Sequence, residues 1–559
     1  MNKTLLHALA TETENGEGGY AVRHGKHALS DFGVPLPGEH EPHINPMAAA
    51  YPCLFPFGVG APEMPDVRHL SFDDHIRWCL EYHDRRFRVH ESFMYHAYGI
   101  QQKRQALSSA RIQSKRADLD KLCNIRVTSQ ELESAQRQEE SHQSITNPRV
   151  LLLRRHVWTT AGRIEGTDSS RALNRSKIWG TSLYMNPLSL WVTINPNDLH
   201  DPIVQVRAGN EDIDMDHFDP TAGPNADERA SNVAKDPFAA ASFFKLIMDI
   251  ILREVIGVRR SRFKVESFPG IFGRVSAYFG VVEAQGRGTL HLHLLVWLVG
   301  APTSDRMRQL LADESFRQKI AQYIRHTIRA HLSNMSEADV ATMPRKPDIA
   351  YSRPPNPANK DYRVISDQLE RDFVRSSQVH VCKKTTCLVL GRGLTWRCKR
   401  GAPFPTAEND AVDEKGNWTV KRSNPWLNNW CPGLVGVLRA NHDIKIVTNG
   451  RDTMSLAWYL TGYATKGQQR TYNASALLAN AVAKHEADES YIHDMRERGR
   501  KLMFKCWNAL NSKSEASGQQ VVMRLMGWGD TFESHQYVPL FWSSFTAYLR
   551  SQDALLRTK

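Results

Sequence analysis

Within the run YFGVVEAQGRGTLHLHLLVWL (278–298), His291 and His293 stand one residue apart in an otherwise apolar stretch. On a strand, alternate residues face the same way, so the two imidazoles project side by side while Leu292 and Leu294 turn into the core. Two neighbouring imidazoles on a rigid strand make half of a metal site. The runs 278–285 and 289–298 flank "GRG", a hairpin signal. Glu283 and Gln285 have the parity to face the histidines, and the register decides which of them lies opposite His291. An oxygen donor beside two imidazoles suits Mn²⁺ or Mg²⁺, with coordination left open for substrate oxygens.

A second constellation is WYLTGYATKG. Tyr459 and Tyr463 are spaced i, i+4 on a predicted helix and share a face about 6 Å apart. Lys466 follows on the same side. Paired phenols with a lysine suit nucleophilic chemistry on phosphate. A phenol with a free pKa of about 10 then needs a nearby cation to stabilise its phenolate. A third constellation, HVCKKTTCLVLGRGLTWRCKR, sets His380, Cys382, Cys387 and Cys398 in the pattern H-x-C-x4-C-x10-C. Four soft ligands this close suit a small structural Zn²⁺ site. Lys383, Lys384, Arg392, Arg397, Lys399 and Arg400 surround it, as a DNA-binding module would require. Taken singly, each pattern also has a plain reading: incidental histidines on a half-exposed strand, tyrosines at an interface, unpaired thiols in a basic loop.

The elements that must position these groups are spread over 559 residues, enough for about three or four units. Hydrophobic content of 41% and charged content of 24% are ordinary for globular protein. The net charge of +12 favours a polyanionic partner such as nucleic acid. No window approaches the ~18 apolar residues of a membrane span, and the N-terminal apolar patch is too short for a signal peptide. The expectation is a soluble intracellular protein whose eight cysteines are thiols or metal ligands rather than disulfides.

Along the chain, residues 71–121 read as helical, with Ser71 and Asp74 resembling a capping box. LSLWVTIN (188–195) reads as a buried strand stopped by Pro196. A polar loop follows, and Asp236 and Pro237 then start a helix as N-cap and first turn. Residues 303–332 read as one charged amphipathic helix. DIKIVTN (443–449) reads as a strand, and the tyrosine helix begins near Asp452. Beyond 480 the pattern is mostly helical.

In combination these marks resemble the HUH endonucleases of rolling-circle replication, and more closely the replication-initiator region of Helitron transposons, fungal type. The marks are LWVTINPNDLHDPIV (190–204), GVVEAQGRGTLHLHLLVWL (280–298) and YLTGYATKGQ (459–468), in the family's order. The flanking YPCLFPFGVG and VVMRLMGWGDTFESHQYVPLFWSSF are also similar to that family. The resemblance implies that His291 and His293, with an acidic or amide ligand, hold one divalent cation, Mg²⁺ or Mn²⁺. It implies that Tyr459 and Tyr463 are nucleophiles on single-stranded DNA, at transposon ends and target, through a 5′-phosphotyrosine intermediate. Lys466 would stabilise phosphate or phenolate charge. Related initiators place a Glu about eight residues before the first His, which fits Glu283; Gln285 competes. A nuclear location follows from the resemblance alone.

The fold expected is α+β: an HUH-like antiparallel sheet with flanking helices, a Cys/His-containing insertion, and helical N- and C-terminal extensions. The units expected are a partly helical module (1–125), the core with its metal-binding hairpin (126–340), a basic Cys/His insertion (341–440), the strand and tyrosine helix completing the core (441–470), and a helical extension (471–559). Full Helitron proteins continue into a helicase with a G-x-x-x-x-G-K-[ST] loop, which this sequence lacks. The sequence is then expected to be a fragment of a decayed element, a truncated gene model or a partner of a helicase supplied in cis or in trans, with no membrane partner. The activity expected is a metal-dependent nickase and strand transferase; the alternative is a catalytically silent transposon remnant that binds DNA.

Overall fold

The computed structural model describes residues 45–64, 70–113, 127–210, 213, 223–261, 264–285, 288–346, 355–385, 387–391, 395–448, 462, 473–488, 495–540 and 542–552. Its centre is a five-stranded sheet of β1 (Leu190–Ile194), β4 (Val275–Ala284), β5 (Leu290–Leu298), β10 (His442–Ile446) and β11 (Thr531–Glu533). The order across the sheet is β10-β1-β5-β4-β11, and every neighbouring pair is antiparallel. Three two-stranded ribbons lie outside it: β2 (Val258–Arg260) with β3 (Val265–Ser267), β6 (Leu388–Leu390) with β7 (Trp396–Cys398), and β8 (Ala411–Val412) with β9 (Trp418–Thr419).

The sheet is covered on both faces, which is why its strands read as nearly unbroken apolar runs. On one face Val192, Leu292, Leu294 and Ile444 join the main core with Phe244 and Met248 of the helix Pro237–Ile250 and Val522 of the helix Gly518–Leu525. On the other, Trp191, Phe279, Leu295 and Trp297 pack with Ile178 of the helix Asp168–Met185. Strand alternation puts Glu283, His291 and His293 on this second face. The mixed α/β architecture and the antiparallel sheet agree with the sequence reading, as does the placement of Leu292 and Leu294 in the core.

Local signals held at the helix starts. The Ser71 hydroxyl accepts from the Asp74 N–H and donates to its carboxylate at 2.6 Å. The Asp236 side chain accepts from the Ala239 N–H, with Pro237 in the first turn. The described part of 71–121 is mostly helical, as Phe72–Glu81 and Phe93–Gln113 separated by turns, with Arg85 in the left-handed region at φ 63°. Two readings need correction. The 303–332 helix is two, Ser304–Leu311 and Glu314–Thr327, because Asp313 caps a new start by accepting from the Ser315 N–H. The polar stretch after β1 contains the helix Ala226–Lys235, opened by a capping box between Asn225 and Glu228 that hydrophobic periodicity alone does not reveal.

The chain beyond 480 is mostly helical, yet it also supplies the edge strand β11. Phe532 stands opposite Gly280 of β4. A Cβ at Gly280 would come within 2.8 Å of Leu292 Cδ1 and 3.3 Å of Phe532 Cβ, so the missing side chain lets both pack over the hairpin. Phe532→Ala should cost about 3–5 kcal/mol and lower the thermal midpoint seen by scanning fluorimetry. An unchanged midpoint would show that the C-terminal strand is not part of the folded core.

Candidate metal centre

The hairpin register sets Glu283 opposite His291 and Val281 opposite His293. Glu283 Oε2 lies 3.2 Å from His291 Nε2 and 3.1 Å from His293 Nε2, and the two Nε2 atoms are 3.1 Å apart. Three donors thus form a nearly equilateral triangle. Donors at mutually right-angled positions around a cation, with bonds of about 2.2 Å, stand about 3.1 Å apart. The two rings meet edge to face at 84°, which brings both Nε2 atoms to one point without stacking them. Both imidazoles are buried, whereas the Glu283 side chain is 39% exposed, so the triangle opens to solvent on its carboxylate side.

The protonation states suit ligation. Burial alone would raise the Glu283 carboxyl, but hydrogen bonds from His291 and His293 outweigh it and hold the group well below the usual carboxylate range. Burial holds the His293 imidazole below its ordinary value, against the raising pull of Glu283. An ionised carboxylate and a neutral imidazole are the forms a metal requires.

Neighbouring strand β1 orients one of the rings. Thr193 pairs with His293 across the sheet, and its Oγ1 is 3.2 Å from His293 Nδ1. The Trp191 indole N–H donates to the same hydroxyl oxygen at 3.2 Å, and its ring stacks on His293 at 5.1 Å between centroids. With Nε2 given to a metal, Nδ1 carries the proton and donates to Thr193, which fixes both tautomer and ring orientation. His291 has no such support, because its buried Nδ1 has no hydrogen-bond partner. Behind β4, Arg171 donates to the Val282 carbonyl at 2.8 Å, and its charge helps depress His293. The loop after β1 pins the start of β5: Asp198 accepts from the Leu290 N–H at 3.3 Å, and burial pushes its carboxyl up to about 7.

Gln285 lies beyond the triangle, its amide donating to Asn195 Oδ1 at 3.1 Å. The structure therefore brings Glu283, rather than Gln285, to the histidine pair. Tyr459, Tyr463 and Lys466 lie outside the described residues. Sequence reading passed over Thr193, Trp191 and Asp198. The signal lay in LWVTIN, where the parity that buries Val192 turns Trp191 and Thr193 to the histidine face.

A second group lies apart from the sheet. His380 Nε2 is 3.3 Å from Cys382 Sγ, 3.6 Å from Cys387 Sγ and 3.3 Å from Cys398 Sγ, and the four donor atoms lie within 4.8 Å of one another. Tetrahedral Zn²⁺ with S and N ligands spaces such donors about 3.5 Å apart. Strands β6 and β7 supply part of the frame, with Leu388 opposite Cys398. The Lys383 N–H donates to Cys387 Sγ at 3.2 Å, the support a thiolate ligand commonly receives. Burial and the neighbouring thiols Cys398 and Cys387 push Cys382 up to about 11, so a metal entering this group must displace protons.

Two outcomes follow from these geometries. Thr193→Val should weaken Mn²⁺ binding about 10-fold or more by calorimetry, with Thr193→Ser restoring most of it; equal affinities in all three proteins would refute the orienting role. Elemental analysis should find one equivalent of thiolate-held metal that Cys387→Ser loses, and retention of that metal would refute the four-ligand assignment.

No helix among the described residues is long and apolar enough to cross a membrane. No curated protein matches the chain. Residues 75–296 match the family described as "Helitron helicase-like domain at N-terminus". That span contains β1, Glu283, His291 and His293; the Cys/His group and residues 459–466 fall outside it. The match covers about two fifths of the chain, so residues 75–296 are similar to a Helitron helicase-like N-terminal domain, which points to a transposon-related function.

Proposed function

We propose that this chain is a rolling-circle initiator-type endonuclease of a Helitron-like transposon, which nicks and rejoins single-stranded DNA. The observation that carries this reading is the Glu283–His291–His293 triangle, on an antiparallel hairpin inside the matched domain. The sheet would then be the core of an HUH-type fold. Glu283, His291 and His293 would hold Mg²⁺ or Mn²⁺, which when bound supplies Lewis-acid polarisation of a phosphate. His380, Cys382, Cys387 and Cys398 would hold a structural Zn²⁺.

The protein's own groups account for the rest. Thr193 and Trp191 hold His293 in one orientation, and the Arg171 contact steadies β4 behind Glu283. Tyr459 or Tyr463 attacks the scissile phosphorus; a P–O bond forms to the phenol oxygen, and the bond to the 3′ oxygen breaks. The products are a 5′-phosphotyrosine and a free 3′-OH. The second tyrosine serves a second strand transfer, and Lys466 offsets negative charge on phosphate or phenolate. The charge of +12 favours DNA as the polyanion. A helicase acting in cis or in trans would supply the single strand, and the site of action would be the nucleus.

Labelled single-stranded oligonucleotides with Mn²⁺ test the reading on a denaturing gel. A covalent adduct should form and disappear in both the Tyr459→Phe/Tyr463→Phe and the His291→Ala/His293→Ala proteins. Binding without adduct across a diverse oligonucleotide pool would favour the silent DNA-binding module instead.

A further inference from the structure

The Cys/His hairpin carries a feature that metal binding does not explain. Trp396 is 52% exposed and Leu390, its cross-strand partner, is 51% exposed. Val389 on the same ribbon and Val381 beside the cluster are exposed as well. Large apolar side chains gathered on one ribbon usually mark a contact surface. The Lys384 ammonium lies 5.7 Å from the centroid of the Trp396 ring. Lys383, Arg397, Lys399 and Arg400 are also exposed around it. From 373 to 407 the sequence contains seven Lys or Arg and no Asp or Glu, so this segment carries no acidic side chain of its own to offset them.

We infer that Trp396 is a stacking platform for a base of single-stranded DNA, with Lys384 and its neighbouring cations pairing the flanking phosphates. An unpaired base offers a π-face to the indole, whereas bases in a duplex already stack on one another. Leu390 extends the platform across the ribbon, and the Cys/His group holds both strands in register. A protein partner matched only to the apolar patch would leave the cations without counter-charge, which favours the nucleic acid. The choice of DNA rests on the proposed function; the platform itself does not depend on cleavage at the histidine site.

The test is fluorescence anisotropy with a labelled oligothymidine and the full chain, purified with its thiolate-held metal and without added Mn²⁺, so that no cleavage intervenes. Trp396→Ala should weaken single-strand binding about 10-fold, within the range for loss of one stacked base. Trp396→Phe should keep most of the affinity, and a duplex of equal length should bind both variants alike. Metal content equal to wild type in each variant checks that the hairpin is intact. Undiminished single-strand binding by Trp396→Ala overturns the inference, including the case in which the patch serves a protein. Loss of binding in Trp396→Ala alongside absence of any tyrosine adduct in wild type would uphold the platform and reject the nickase.

Discussion

The antiparallel pairing of β4 with β5 is the constraint on which the site depends. Because the hairpin register sets Glu283 against His291, the carboxylate reaches both imidazoles from the facing strand. A slip of one residue would turn Glu283 to the opposite face, into the core around Leu292 and Leu294. The neighbours restrain that slip. Asp198 holds the Leu290 N–H at the start of β5, Arg171 holds the Val282 carbonyl, and Gly280 leaves room for Leu292 and Phe532, which a Cβ there would crowd. The meeting of these three donor atoms is thus a consequence of sheet packing.

The two candidate metal groups are built on different principles. The Glu/His triangle spans the paired central strands β4 and β5, where Thr193 and Trp191 hold the His293 ring. The site opens to solvent on the Glu283 side. The Cys/His group sits on a short ribbon whose strands have three residues each and exposed apolar side chains. A ribbon that small has little core of its own, so thiolate–metal bonds would be its main restraint. The first arrangement fits chemistry on a substrate and the second fits a pinned surface module.

Much of this is legible in the sequence. Period-two alternation told which residues of the histidine strand share a face, because that parity is independent of the fold around it. The Cys/His spacing was equally local. The register was not legible, since it depends on the turn, so Glu283 and Gln285 could not be separated until the strands were paired. Thr193 was missed because its partner His293 lies 100 residues away, and only the sheet order brings them together. Strand β11 was missed because three residues carry too little periodicity to register among helices. The helix Ala226–Lys235 hid in a run rich in Asp, Asn and Ser, which favour caps and turns as readily as helix starts.

The central claim is that one divalent cation is held by Glu283, His291 and His293. Anomalous diffraction from crystals grown with Mn²⁺ reads it most directly. The account predicts a single strong peak on the sheet, about 2.0–2.2 Å from Glu283 Oε2 and from both Nε2 atoms. A manganese peak elsewhere, with the hairpin side chains bonded only to one another, would contradict it.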